Sequence, residues 1–194
     1  IISNNYELLI DVGNIGPDYQ PAHAHSDTFN FELIYEGKPI IVDRGISTYE
    51  KNSKREEERS SNSHNTVEIN SQNQSQVWGG FRVARRAKII NLKEKDKCIS
   101  AIHDGYKRKG FMHNRVFEWS DYYIKIKDFL NKSSLNKAQA HFHFHSSINK
   151  PIIKNDKVIL TDRNISMSFD GNIKINLKSY DLSFGFNKTN KAFK

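Results

Sequence analysis

Three histidines and two aspartates carry most of the chemistry this chain could perform. His23 and His25 stand one residue apart in Pro21-Ala22-His23-Ala24-His25-Ser26-Asp27, with Asp43 and His64 isolated further along. Together these residues can supply at least two imidazoles and a carboxylate, the donor set of a zinc-type ion, drawn from separate strands. One histidine is then left over, and a spare imidazole beside a metal site is placed to do proton chemistry. If His23-Ala24-His25 is extended, alternation points both rings to the same face. His141, His143 and His145 alternate with Phe142 and Phe144 and read as the polar face of a strand, with a second metal site as the alternative. His103 and His113 have no evident partners.

Other chemistries leave no trace. No serine lies in a nucleophile-elbow context, no glycine-rich phosphate loop follows a strand, and Cys98 has no evident histidine partner. Cys98 is the single cysteine, so an internal disulfide is excluded and the redox compartment stays open. The formal charge of +8 makes an anionic partner plausible: nucleic acid, acidic lipid or acidic polysaccharide. The lysines are nevertheless spread thinly through Asn- and Ser-rich turns, consistent with a solvated basic surface. The aromatic-bearing strands lack an RNA-binding motif, so nucleic acid is not expected as a partner. No stretch approaches the roughly 18 apolar residues of a membrane span. The sequence starts directly in strand-like residues without a leader pattern, which suggests a piece of a longer protein.

The elements that must position these residues have period two almost throughout. Tyr6–Val12, Thr28–Tyr35 and Ile40–Asp43 read as strands, the last two joined by a tight turn at Glu36-Gly37-Lys38-Pro39. Phe29, Phe31, Leu33 and Tyr35 fall on one face. Glu50–Ser63 is the one long polar stretch and reads as a surface loop with a helical turn near Arg55–Arg59. Strand-like segments resume at Asn65–Ile69, Phe81–Ala87, Cys98–His103, His113–Trp119, Tyr122–Leu130, Ala138–His145, Val158–Thr161, Ile165–Phe169 and Ile173–Leu177, with polar turns between them, among them Asn91–Lys97 and Asn131–Lys137. Many short strands without a helical-period segment predict an all-β protein, an antiparallel β-sandwich or barrel. One domain over residues 1–187 is expected, followed by a loose tail over 188–194.

Several ordered motifs resemble the heparinase II/III-like family. They are Pro21–Asp27, Phe29-Asn30-Phe31-Glu32, Gly37-Lys38-Pro39, Val42-Asp43-Arg44-Gly45, Thr48-Tyr49, Arg59 and Ser63-His64-Asn65-Thr66-Val67. Gln74-Ser75-Gln76, Trp78-Gly79, Phe81-Arg82-Val83, Arg86-Ala87, His103-Asp104-Gly105-Tyr106 and His113-Asn114-Arg115 continue the pattern. Beyond Arg115 it thins to Phe142–His145 and Ser183-Phe184-Gly185.

The resemblance implies a polysaccharide lyase in two parts, an N-terminal (α/α) toroid and a C-terminal antiparallel β-sandwich, of which this chain matches the sandwich alone. It implies that His25, Asp43 and His64 bind a divalent metal, zinc by type, in a structural role, while His23 lines the active site at the interface between the two parts. Arg59 is the matching candidate to hold the acidic sugar by a bidentate pair. The implied reaction is β-elimination on a uronate-containing polysaccharide, with the principal tyrosine and an assisting asparagine contributed by the toroid, so the isolated fragment is expected to be inactive. A periplasmic or secreted location follows from the same resemblance. Two readings compete. A metal cupin shares the H-x-H followed by an acid, but Glu32 falls seven residues after His25 and the second cupin motif is lacking. A non-catalytic carbohydrate-binding sandwich would keep the anion-binding face without turnover.

Overall fold

The computed structural model describes residues 1–131 and 137–194. The turn expected over Asn131–Lys137 therefore lies, at 132–136, outside the described residues. The chain forms antiparallel sheets in order along the sequence. β1 (Tyr6–Ile10), β2 (Phe31–Tyr35) and β3 (Lys38–Ile41) make the first. Leu8 lies opposite Leu33 and Ile10 opposite Phe31, so alternate residues turn into one core. β2 and β3 are joined at Glu36 and Gly37, both with positive φ (49° and 69°), the backbone a two-residue hairpin turn requires.

After one α-helix, α1 (Ser53–Glu58), come β4 (Val67–Ile69) and the small hairpin β5 (Val77–Trp78) and β6 (Arg82–Val83). β7 (Ile89–Lys95), β8 (Cys98–His103), β9 (His113–Trp119) and β10 (Ile124–Leu130) form a four-stranded sheet in sequence order. β11 (Ala138–Ala140) returns to pair with β4. β12 (Ile152–Lys154), β13 (Lys157–Leu160) and β14 (Ile165–Ser168) make another three-stranded sheet, and β15 (Ser179–Gly185) and β16 (Lys188–Phe193) a final hairpin.

The largest core joins three of these sheets. Leu8, Phe31 and Ile40 from the first meet Phe117 from the four-stranded sheet and Val158 and Leu160 from β13. Phe31 and Phe117 meet edge to face with centroids 5.8 Å apart. Burying each ring contributes about 1.5–3 kcal/mol, enough for this contact to tie the sheets face to face. The expected all-β sandwich of short antiparallel strands is what the chain forms.

Several local expectations are corrected. Residues 188–193 are not a loose tail: they form β16, whose Ala192 is buried against Tyr180 and Leu182. Glu50–Ser63 is not a surface loop. It carries α1 as foreseen, but Arg55, Glu58, Arg59, Ser61 and Ser63 are all buried, where they bond to side chains and backbone of other segments, as Glu58 does to Ser47 and Ser61 to Ser26. Asn91–Lys97 is not a turn over most of its length but belongs to β7, the exposed edge of its sheet. Ile173–Leu177 is not a strand, and only Arg82–Val83 of the Phe81–Ala87 segment is one.

Candidate functional site

The H-x-H segment is not extended. Pro21–His23 forms a single 3-10 turn with proline in its first positions, where a fixed φ and a missing N–H cost nothing. Ala24 then resumes an extended conformation. The two histidines therefore leave the backbone in different company. His23 is exposed and packs edge-on against Tyr49 and Phe81, at centroid distances of 5.7 and 5.5 Å. His25 turns inward, its ring 5.2 Å from that of His64.

Behind the turn, hydroxyls hold the segment in place. Ser26 and Ser61 are fully buried with their oxygens 2.8 Å apart, and the Ser26 hydroxyl accepts the Ser75 amide at 2.9 Å. The Ser61 hydroxyl accepts the Gln74 amide at 3.1 Å and donates to the Ser26 carbonyl. Arg59 completes the clamp. It is 1 % exposed and donates to the carbonyls of Ala24 and Gly80 at 2.7–3.1 Å, with longer contacts to Ala22 and Arg82. The expectation that Arg59 holds an acidic sugar is corrected here: its guanidinium is already occupied by backbone, binding the histidine turn to the β5–β6 hairpin.

The cation nearest the aromatic shelf is instead Arg55, one helical turn earlier. Its guanidinium carbon lies 5.2 Å from the Tyr49 ring centre and 5.8 Å from that of Phe81, and its Nη1 is 3.4 Å from His25 Nε2. Arg55 Nη2 is buried and has no partner among the described residues.

His25, Asp27 and His64 bring one donor atom each within 4.8 Å of one another. Asp43 sits on the other side of His64, its carboxylate accepting from His64 Nδ1 at 2.6 Å, Asn30 Nδ2 at 2.9 Å and the Gly45 amide at 2.8 Å. With Nδ1 committed as a donor, His64 keeps Nε2 as a lone pair, and that nitrogen is buried without a partner among the described residues. An orphaned buried imidazole nitrogen, a second imidazole and two carboxylates fit a divalent cation.

The electrostatics set the two imidazoles apart. Burial pushes His25 down to about 3, and His64 beside it acts in the same direction, so His25 presents a neutral ring. Burial would also lower His64, but the Asp43 charge and hydrogen bond outweigh it and raise the group. Asp43 is lowered despite its burial, through His64 and the Gly45 amide, whereas burial raises Asp27.

Asn65 anchors the segment that carries His64. Fully buried, it donates to the carbonyls of Phe31 and Val42 at 2.8 and 2.9 Å and accepts from the His143 amide at 2.7 Å. His143 is thus buried rather than part of an exposed polar face.

His103 and His113, which had no evident partners in sequence, partner each other. They face one another across β8 and β9, with His103 Nε2 3.0 Å from His113 Nδ1. His103 Nδ1 accepts the Gly105 amide at 3.0 Å, so Nε2 carries the proton and donates. His113 Nε2 then donates to Asp128 at 2.7 Å, and Arg115 grips the same carboxylate through Nε and Nη2 at 2.7 and 2.9 Å. Arg115 Nη1 reaches on to the carbonyls of Phe29 and Asn65 at 3.0 and 2.7 Å. The signal available in sequence was the hairpin register, which places Arg115 opposite Asp128.

None of the curated proteins matches the chain. The family model described as Heparinase II/III-like, C-terminal, matches residues 1–193. Among solved structures, a heparinase III gene product with methylated lysines aligns with a TM-score of 0.70 at 17 % identity, over 100 % of this chain and 31 % of its own. The heparan sulfate lyase of Pedobacter heparinus aligns with a TM-score of 0.70 at 18 % identity, over 95 % of this chain and 33 % of its own. Another heparinase III gives 0.70 at 16 % identity, over 98 % and 32 %. Identities this low carry a likeness of fold. This chain spans about a third of the length of each of these proteins.

Proposed function

We propose, from the premise that this chain belongs to the heparinase II/III-like C-terminal family, that it forms one wall of a polysaccharide lyase active site. The observation that carries the reading is the division of the H-x-H pair: an exposed His23 on an aromatic shelf, and a half-buried His25 turned inward to the buried His64. The second wall is an N-terminal (α/α) toroid of the same longer protein. It would supply the tyrosine and asparagine that the resemblance implies.

The reaction is β-elimination on a uronate-containing acidic polysaccharide. A base removes the proton alpha to the uronate carboxylate, and the glycosidic oxygen leaves the β-carbon with a proton. The developing enolate needs donors in a site shielded from water. His23 shares the proton transfer or stabilises that charge, with Tyr49 and Phe81 fixing its ring. Arg55 adds positive potential behind the same shelf.

His25 and His64 hold a divalent metal, zinc by the nature of the donors, with Asp43 and Asp27 as the carboxylates beside them. When bound, the ion supplies a structural cross-link between the histidine turn and the His64 segment. Asp43, fixed by three donors, also orients His64. Asparagine at each aspartate in turn, followed by metal analysis, tells a ligand from an orienting partner: losing the ligand empties the site, and losing the partner weakens it by about 10–100-fold.

The test of function uses the longer protein, uronate polysaccharides and the ultraviolet absorbance of unsaturated sugar ends. His23→Ala is expected to abolish turnover with the melting temperature unchanged. His25→Ala is expected to remove metal and lower the melting temperature. Turnover by His23→Ala at the parent rate overturns the assignment of His23. Binding of uronate polymer with no turnover by the parent protein assigns the chain to the non-catalytic carbohydrate-binding alternative.

A further inference from the structure

On the β5–β6 hairpin that carries Phe81, an open groove of about 570 Å3 is bordered by Trp78, Arg85, Arg108 and Lys109, with Asn73 and Gln76 between them. Three features set it apart from a solvated basic surface. The first is charge without compensation. None of the three cations forms an ion pair among the described residues, and no carboxylate lines the groove.

The second is that the central cation is built in rather than free. Arg85 Nη1 donates to the carbonyls of Gly105 and Gln74, at 2.6 and 3.3 Å, while its backbone pairs with Gln76. This approach depends on Gly105: a Cβ there would lie 2.9 Å from the Gln74 carbonyl oxygen and from His103 Nδ1. Arg85 Nε is buried and has no partner among the described residues. The Lys109 ammonium is pushed below its ordinary value, first by burial and then by Arg85, so the like charges are close enough to feel one another. An anion in the groove would relieve that repulsion.

The third feature is Trp78. It is 42 % exposed at the rim, held in register by its pairing with Arg82. A half-exposed indole offers a flat apolar face with a polar N–H, suited to a ring with one C–H face and a polar edge. A cationic cluster beside such a face matches a sugar bearing a carboxylate or sulfate, since guanidinium groups bind both as bidentate pairs.

We infer that this groove is an anionic-sugar subsite, binding a unit of an acidic oligosaccharide on the hairpin that also carries Phe81. The inference deepens the lyase reading and rests on it for the kind of polymer. Arg108 and Lys109 hold the acid group, Arg85, committed through Nη1 to the Gly105 and Gln74 carbonyls, adds positive charge beneath them, and Trp78 takes the sugar face. Through the four-residue span from Trp78 to Phe81, a chain seated here could continue toward the His23 shelf.

The test titrates this chain with a size-defined sulfated uronate tetrasaccharide and its unsulfated counterpart, followed by calorimetry and tryptophan fluorescence. Saturable binding is expected. Trp78→Ala and the double variant R108Q/K109Q should each weaken it by about tenfold, as one or two exposed ionic or stacking contacts are worth. Melting curves check that these exposed substitutions leave the fold intact, and Lys154→Gln on β12 serves as a distant charge control. Unchanged affinity in both groove variants, or equal losses in the Lys154 control, overturns the subsite. Equal or tighter binding of a DNA oligonucleotide of matched charge does the same. Trp78-dependent binding by this chain together with no turnover by the longer protein supports the subsite and sinks the lyase reading. Turnover with a KM insensitive to Trp78 and Arg108 does the reverse.

Discussion

Replacing Asp128 with asparagine removes the counter-ion of a buried arginine, Arg115. Asp128 accepts two bonds from Arg115 and one from His113, all at 2.7–2.9 Å, and Arg115 is only 1 % exposed. Asparagine keeps the shape but turns one acceptor into an NH2 group facing donors, so at least one of the three bonds becomes a donor–donor contact. Arg115 is left as a buried charge without a counter-ion, a loss of about 3–5 kcal/mol. Against a total stability of roughly 5–15 kcal/mol, this is between about a fifth and the whole of the margin. For a chain of this size, each kcal/mol shifts the melting temperature by about 2–4 °C, so a fall of roughly 6–20 °C is expected. Urea titration should show the midpoint falling with an unchanged slope, the mark of lost stability rather than an altered end state. The control is Asp181→Asn, whose partner Lys191 is 78 % exposed at the side chain; an exposed pair contributes about 0–1 kcal/mol. If the two substitutions cost the same, the Asp128 network is not load-carrying and the reasoning fails.

Acid should weaken the fold before the carboxylates titrate. Burial, chiefly, holds His103 and His113 below the ordinary 6.5, so under that pH the unfolded chain binds protons that the folded chain refuses. The lowered Asp128 adds a loss of the same sign further down, within the carboxylate range. Melting temperatures measured in chelator should therefore already decline from pH 6.5 to 5, and a flat profile there refutes the neutral-histidine assignment. Asn65→Ala removes the donors to the Phe31 and Val42 carbonyls and the acceptor of the His143 amide. At about 1 kcal/mol for each bond and more for each buried group left bare, a loss of roughly 3 kcal/mol or more should appear in the same urea assay.

The sequence was most legible where strands bury one face. β9 spans the seven residues that alternation marked, and β8 the six. β7 escaped because it is an edge strand, exposed along nearly its whole length, so its lysines and its one glutamate carry no alternation to read. β16 escaped for a related reason: its hold comes from backbone pairing and one small buried residue, Ala192. The site was legible as residue types. His25 and His64 do meet, but the carboxylate grouped with them is Asp27, while the expected Asp43 bonds to His64 Nδ1, and His23 stands apart. What the spacing concealed was a proline-led turn that separates the two histidines, and the many backbone carbonyls that occupy Arg59. Arg55, buried beside His25 and under Tyr49, carries no local mark that distinguishes it from the glutamates around it.

The 3-10 turn at Pro21–His23 also bears on how this surface can change over generations. The shape of the turn is set by proline and by the Arg59 clamp, both independent of what His23 does. His23 can therefore be exchanged for glutamine, a single-nucleotide step from either histidine codon, without disturbing His25, His64 or the serine braces behind them. Under the proposed function, a lineage could thus trade a cutting surface for one that only holds its polymer while the rest of the sandwich stays as it is, so enzyme and binding module would stand as mutational neighbours.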